Sequence, residues 1–142
     1  MAAELVVIDS SVWIFALRRA SLPAVRERVD AVLEEGRAAL VPPIRMELVG
    51  GARTPVEQGR LRQRLLALIQ IPFVDEDWDQ AEAWGFGLRR KGVTVASFDL
   101  LIAAPVFRTG SLLLHADDHF DVLARHTGLK VESLLAAIRN RP

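Results

Sequence analysis

Four carboxylates in this sequence sit where a carboxylate is costly. The stretch "LVVIDSSVWIF", residues 5–15, runs four apolar residues straight into Asp9. "RMELVGG" sets Glu47 among apolar neighbours, "SFDLLIAAPVF" does the same to Asp99, and "LLLHADDHF" ends an apolar run at Asp117. A buried ionised carboxylate must be paired or bound to a metal. Each acid also has an ordinary structural reading. Asp9 and Asp117 precede predicted helices and are candidate caps, worth about 1 kcal/mol each. Asp99 is a candidate first-turn acid facing a helix dipole. Glu47 has Arg45 and Arg53 as candidate ion-pair partners, and Asp118 and Asp121 read as surface residues.

The combination says more than any one acid. Four carboxylates at one place repel one another and keep some of their number protonated. A divalent cation removes that conflict. With no cysteine and only three histidines, thiolate zinc and disulfide frameworks are excluded, and oxygen ligands favour Mg²⁺ or Mn²⁺. Two such ions about 4 Å apart suit in-line attack on a phosphodiester.

The elements that must position these acids alternate in type. Strands are predicted at residues 5–8, 38–41, 111–117 and 129–131, with a further short strand or extended piece at 71–74. Helices are predicted at 10–17, from Pro23 to Gly36, from the Pro42-Pro43 pair to Val49, around Leu61, Leu65, Leu68 and Ile69, at 75–90 with Trp78, Ala81, Trp84 and Leu88 inward, at 98–107 and at 118–124. Residues 91–97 read as a loop, and the tail as charged. Alternation of this kind predicts an α/β fold, a parallel sheet with helices on both faces. Ligands of such sheets bind beyond the carboxyl ends of the strands. Asp9, Glu47, Asp99 and Asp117 are all expected there.

Bulk properties set the frame. The 142 residues are expected to form a single domain, 1–142, without repeats or linkers. The chain is 51% hydrophobic and 25% charged, a globular composition. The net charge is zero, which neither argues for nucleic acid nor excludes it, since a pocket of acids can cancel a basic rim. The basic residues are arginines apart from Lys91 and Lys130; Arg18, Arg19, Arg45, Arg53 and Arg89 are rim candidates. No signal segment or membrane-length apolar run occurs, so a soluble, cytoplasmic protein is expected.

The phrases "VIDSSVWI", "PPIRMELVGG", "SFDLLIAA" and "LLLHADDHF" together resemble PIN-domain ribonucleases, in particular the VapC-type toxins of toxin–antitoxin pairs, from about residue 5 to 131. The resemblance implies an α/β/α sandwich with four to five short parallel strands and a Mg²⁺- or Mn²⁺-dependent endoribonuclease. It assigns Asp9, Glu47, Asp99 and Asp117 as the catalytic acids. Asp9, Asp99 and Asp117 would be metal ligands, and Glu47 would bind a second metal or orient the attacking water. Ser11 and Arg45 are candidate substrate contacts, Ser11 alternatively bonding a carboxylate. The resemblance also implies an RNA substrate, a VapB-like antitoxin partner that places an arginine in the acidic pocket, and a homodimer. Two positions depart from the family pattern. His115 replaces the usual Thr or Ser two residues before the last aspartate, where a strand-end structural role is expected. Pro105 falls inside a predicted helix, where it removes one hydrogen bond and should kink it.

Other phosphate enzymes match less well. A haloacid-dehalogenase-type phosphatase needs an aspartate at position 11, where this chain has Ser11, and a receiver domain needs paired early acids and a late pocket lysine. A P-loop or dinucleotide fold needs a glycine-rich phosphate loop, which is lacking. A PIN fold serving only as a binding module typically loses an acid, and all four are present.

Overall fold

The computed structural model describes residues 3–17 and 22–139. In chain order it places β1 (Val6–Ile8), α1 (Ser10–Ala16), α2 (Pro23–Glu34), β2 (Ala38–Leu40), α3 (Pro42–Gly50), α4 (Pro55–Leu66), β3 (Ile69–Gln70), α5 (Asp75–Arg90), α6 (Ser97–Arg108), β4 (Leu112–His115), α7 (Asp118–His126), β5 (Lys130–Ser133) and α8 (Leu135–Arg139). The five strands form one parallel sheet in the order β3-β2-β1-β4-β5, flanked by helices. This is the α/β architecture expected from the alternation.

The burial of the strands explains their composition. A parallel sheet covered on both faces needs continuous apolar runs, not alternation. Val6, Val7 and Ile8 are all fully buried, as are Leu113 and Leu114 on the neighbouring β4. The edge strands are short and partly exposed, and neither has a long run. Two glycines deliver the chain from helix into strand. Gly36 and Gly110 take positive φ values of 68° and 65°. Each sits one residue past a helix cap, where a left-handed turn lets the next N–H reach back: Arg37 to the Val32 carbonyl, and Ser111 to that of Val106.

The strand order fixes where a site can form. The chain steps from β1 outward to β2 and β3, then returns through α5 and α6 to place β4 on the other side of β1. The direction of winding therefore reverses between β1 and β4. A crevice opens at such a switch point, beyond the carboxyl ends of the two strands. Asp9 follows β1 directly, and Asp117 follows β4 by one residue.

Several expectations are corrected. Of the two readings of residues 71–74, the strand is not formed; β3 is Ile69–Gln70, because Pro72 offers no N–H and Ile71 makes the last bond to Leu40. Leu68 and Ile69 accordingly lie beyond the end of α4. Trp78 is 52% exposed rather than inward. The inward stripe of α5 includes Asp77, Ala81 and Leu88, with Trp84 half-buried. The tail carries an additional short helix, α8. Pro105 does lie inside a helix, α6, as expected.

Candidate active site

Asp9 divides its two oxygens between two tasks. Oδ2 caps α1, accepting from the Ser11 N–H (3.1 Å) and from the Ser11 hydroxyl. Oδ1 is buried and has no hydrogen-bond partner. The residue as a whole is 3% exposed. Cap and site were competing readings of Asp9, but the geometry accommodates both. The Ser11 hydroxyl in turn accepts from the Ala116 N–H (3.0 Å), tying the start of α1 to the end of β4. Its hydrogen goes to Asp9, so its contacts here are with a carboxylate and the backbone.

The remaining acids arrive on three other elements. Asp117 caps α7, its Oδ1 accepting from the His119 N–H at 3.0 Å. Asp99 stands in the first turn of α6. Glu47 projects from α3 and accepts from the Ser10 hydroxyl at 3.0 Å. Burial pushes the Asp9 carboxyl above its ordinary pKa, and the charge of Asp117 adds to the rise while the Ser11 bonds oppose it. Glu47 is raised first by burial and then by Asp9, Asp99 and Asp117, against the Ser10 bond. Asp99 is raised by burial and by Asp117, against His119. Asp9, Asp99 and Asp117 thus each act on another of the four and all three act on Glu47, which makes them one electrostatic cluster.

Two members of this neighbourhood were not read from the sequence. Ser10 holds Glu47, and the His119 Nδ1 lies 3.4 Å from both Asp99 Oδ2 and Asp117 Oδ1. The only signal for either was adjacency to an acid in "DSS" and "DDHF". His115 has the strand-end role expected for it. It is fully buried, its Nδ1 accepts from the Asp117 N–H, and its Nε2 donates to Asp121 Oδ1 at 3.1 Å. Asp121, in the first turn of α7, is half-buried there.

Arg45 does not enter the cluster. It lines an adjoining groove of about 410 Å³ with Pro42, Met46, Phe73, Trp78 and Phe98. Arg53 shares a second groove with Glu47. Arg89 lies in the last turn of α5, while Arg18 and Arg19 fall outside the described residues. Trp13 and Phe120, which follow the acids closely, are core residues.

The donor set suits a hard divalent cation. One buried carboxylate oxygen is without a partner, three acids are raised by burial and mutual repulsion, and Asp99, Asp117 and His119 offer ligand atoms within 4.8 Å of one another. The model for the PIN domain matches residues 6–126. The chain belongs to the PIN-domain family. This PIN domain is 37% identical to Ribonuclease VapC11 of Mycobacterium tuberculosis over 133 residues, 91% of this chain and 98% of that protein. Among solved structures it is similar to VapBC2 from Rickettsia felis bound to a promoter DNA fragment (TM-score 0.74, 16% identity, 91% of this chain and 98% of that one). It is also similar to DNA-bound VapBC from Salmonella typhimurium (TM-score 0.73, 20% identity, 92% and 98%).

Proposed function

We propose that this PIN domain is a divalent-metal-dependent endoribonuclease, the toxin of a type II toxin–antitoxin pair. One observation supports the reading: four carboxylates from four elements cluster at the β1/β4 switch point, one of them with a buried, unpartnered oxygen. The relationship to proteins named VapC ribonucleases supports RNA as the substrate.

The residues divide the work as follows. Asp9, Asp99 and Asp117 hold Mg²⁺ or Mn²⁺. Ser11 fixes Asp9 by its hydroxyl, and Ser10 fixes Glu47. Glu47 orients the attacking water and receives its proton. A bound divalent ion supplies charge neutralisation and polarisation at the phosphate. Water adds to phosphorus, one ester P–O bond breaks, and the leaving oxygen takes up a proton. Arg45 and Arg53 stand on groove walls beside the acids, where a phosphate backbone entering or leaving the site finds positive charge.

The VapB-like antitoxin restrains the enzyme by placing an arginine among the carboxylates, where a guanidinium stands in for metal charge. The protein works in the cytoplasm as a homodimer. No helix among the described residues is long and apolar enough to cross a membrane.

The test is cleavage of a mixed structured RNA pool by antitoxin-free protein in Mg²⁺, Mn²⁺ or EDTA, with Asp99→Asn beside the wild type. Cleavage is expected only with metal and only in the wild type, with a loss of at least about 100-fold in the variant. Metal-independent cleavage, or an Asp99→Asn protein as active as the wild type, sinks the reading.

A further inference from the structure

The three histidines of this chain have different surroundings, and one of them stands at the site, exposed and facing two of its acids. His115 is fully buried with both ring nitrogens engaged. The His119 side chain is 62% exposed, and the polar atoms beside its Nδ1 are the oxygens of Asp99 and Asp117, both at 3.4 Å. Its backbone is fixed to one of them, since the His119 N–H donates to Asp117 Oδ1. The Asp117 cap thus fixes the backbone of His119 beside the cluster. A second observation points to a cation beside this group. Asp9 Oδ1 is buried and unpartnered, and the Asp9 charge acts on both Glu47 and Asp99.

Ligand spacing agrees with this placement. Adjacent ligands in an octahedral shell with bonds of about 2.1 Å lie roughly 3.0 Å apart. The two His119 contacts are a few tenths of an ångström longer, within the adjustment of an exposed side chain. An imidazole nitrogen also changes the preference of a site. Mg²⁺ is hard, demands oxygen and gives up water reluctantly, whereas imidazole suits transition ions more readily.

We propose that His119 is a nitrogen ligand of the divalent cation held by Asp99 and Asp117, and that it tilts this site from Mg²⁺ towards Mn²⁺. The inference rests on the metal-dependent reading above and adds to it a named ligand and a metal preference.

The test reads metal binding, not activity. Metal-free wild type, His119→Ala and Asp99→Asn are titrated with Mn²⁺ and with Mg²⁺ by calorimetry, and the Mn²⁺ forms are examined by electron spin-echo spectroscopy for nitrogen coupling. Wild type is expected to show a directly coordinated nitrogen that His119→Ala lacks. Mn²⁺ affinity should fall about 10-fold or more in His119→Ala, while Mg²⁺ affinity changes far less. His126→Ala, altered on the last turn of α7, should keep the coupling. Mn²⁺ bound without nitrogen coupling in the wild type, or coupling that persists in His119→Ala, overturns the role of His119 alone. Failure of the wild type to bind either ion, or equal Mn²⁺ binding by Asp99→Asn, overturns the metal reading beneath it.

Discussion

At the scale of single residues, the acids of this site are strained by one another. Burial and mutual charge raise the pKa values of Asp9, Glu47 and Asp99. The folded chain therefore binds more protons than the unfolded chain from the ordinary carboxylate values of 3.8 and 4.5 upward, until the raised values are passed. In that window stability falls as pH rises. Metal-free protein is thus expected to melt at a higher temperature at pH 5 than at pH 7.5, and saturating Mn²⁺ should shrink or reverse the difference. Thermal unfolding at the two pH values checks this; a metal-free melting temperature that climbs towards pH 7.5 contradicts it. The four acids were legible in sequence because a carboxylate inside an apolar run needs a reason. Ser10 and His119 were not, because a polar residue at a helix start looks the same whether it faces water or a neighbouring acid.

At the scale of elements, an ion pair with one buried partner joins α5 to α6, the helix that carries Asp99. Asp77 on α5 is 1% exposed, accepts from the Val74 N–H, and pairs with Arg108 of α6 at 3.0 Å. Arg108 also donates to the Pro72 carbonyl at 2.7 Å. Replacing Arg108 by Met strands a buried carboxylate and is expected to cost about 3 kcal/mol, measured by denaturant unfolding. A loss below about 1 kcal/mol would mean that the pair does not hold α5 to α6. The same pair explains why the inward face of α5 was misread. Asp77, Ala81 and Leu88 share the buried face, but a charged residue does not announce itself as core, so Trp78 took its place in the pattern. Its ring instead packs edge-on against Phe73 at the surface, with centroids 5.0 Å apart. The shift of β3 has a similar origin: Ile69 continues an apolar helical stripe and only its pairing with Ala39 makes it a strand.

At the scale of the whole molecule, the groove beside the acids bears on assembly. Met46 and Trp78, both more than half exposed, line it with Phe73 and Phe98. Apolar surface of this kind commonly marks an interaction face. If the homodimer buries this face, Trp78→Glu should yield a monomer by light scattering where the wild type yields a dimer. Wild-type monomer at micromolar concentration would remove the homodimer from the proposal, and an unchanged dimer in the variant would move its interface elsewhere.

The sequence by itself determined the kinds of elements, their approximate order and the four acids, because periodicity and the cost of a carboxylate among apolar residues are local properties. It also determined that the sheet is parallel, since the interior strands are apolar throughout and helices separate them. Only the tertiary structure decided that β4 returns to the far side of β1, which turns two distant helix caps, Asp9 and Asp117, into neighbours. It alone paired Ser10 with Glu47 and set His119 between Asp99 and Asp117. Those contacts join residues far apart in the chain or depend on where a side chain points, and neither distance nor direction is carried by local pattern.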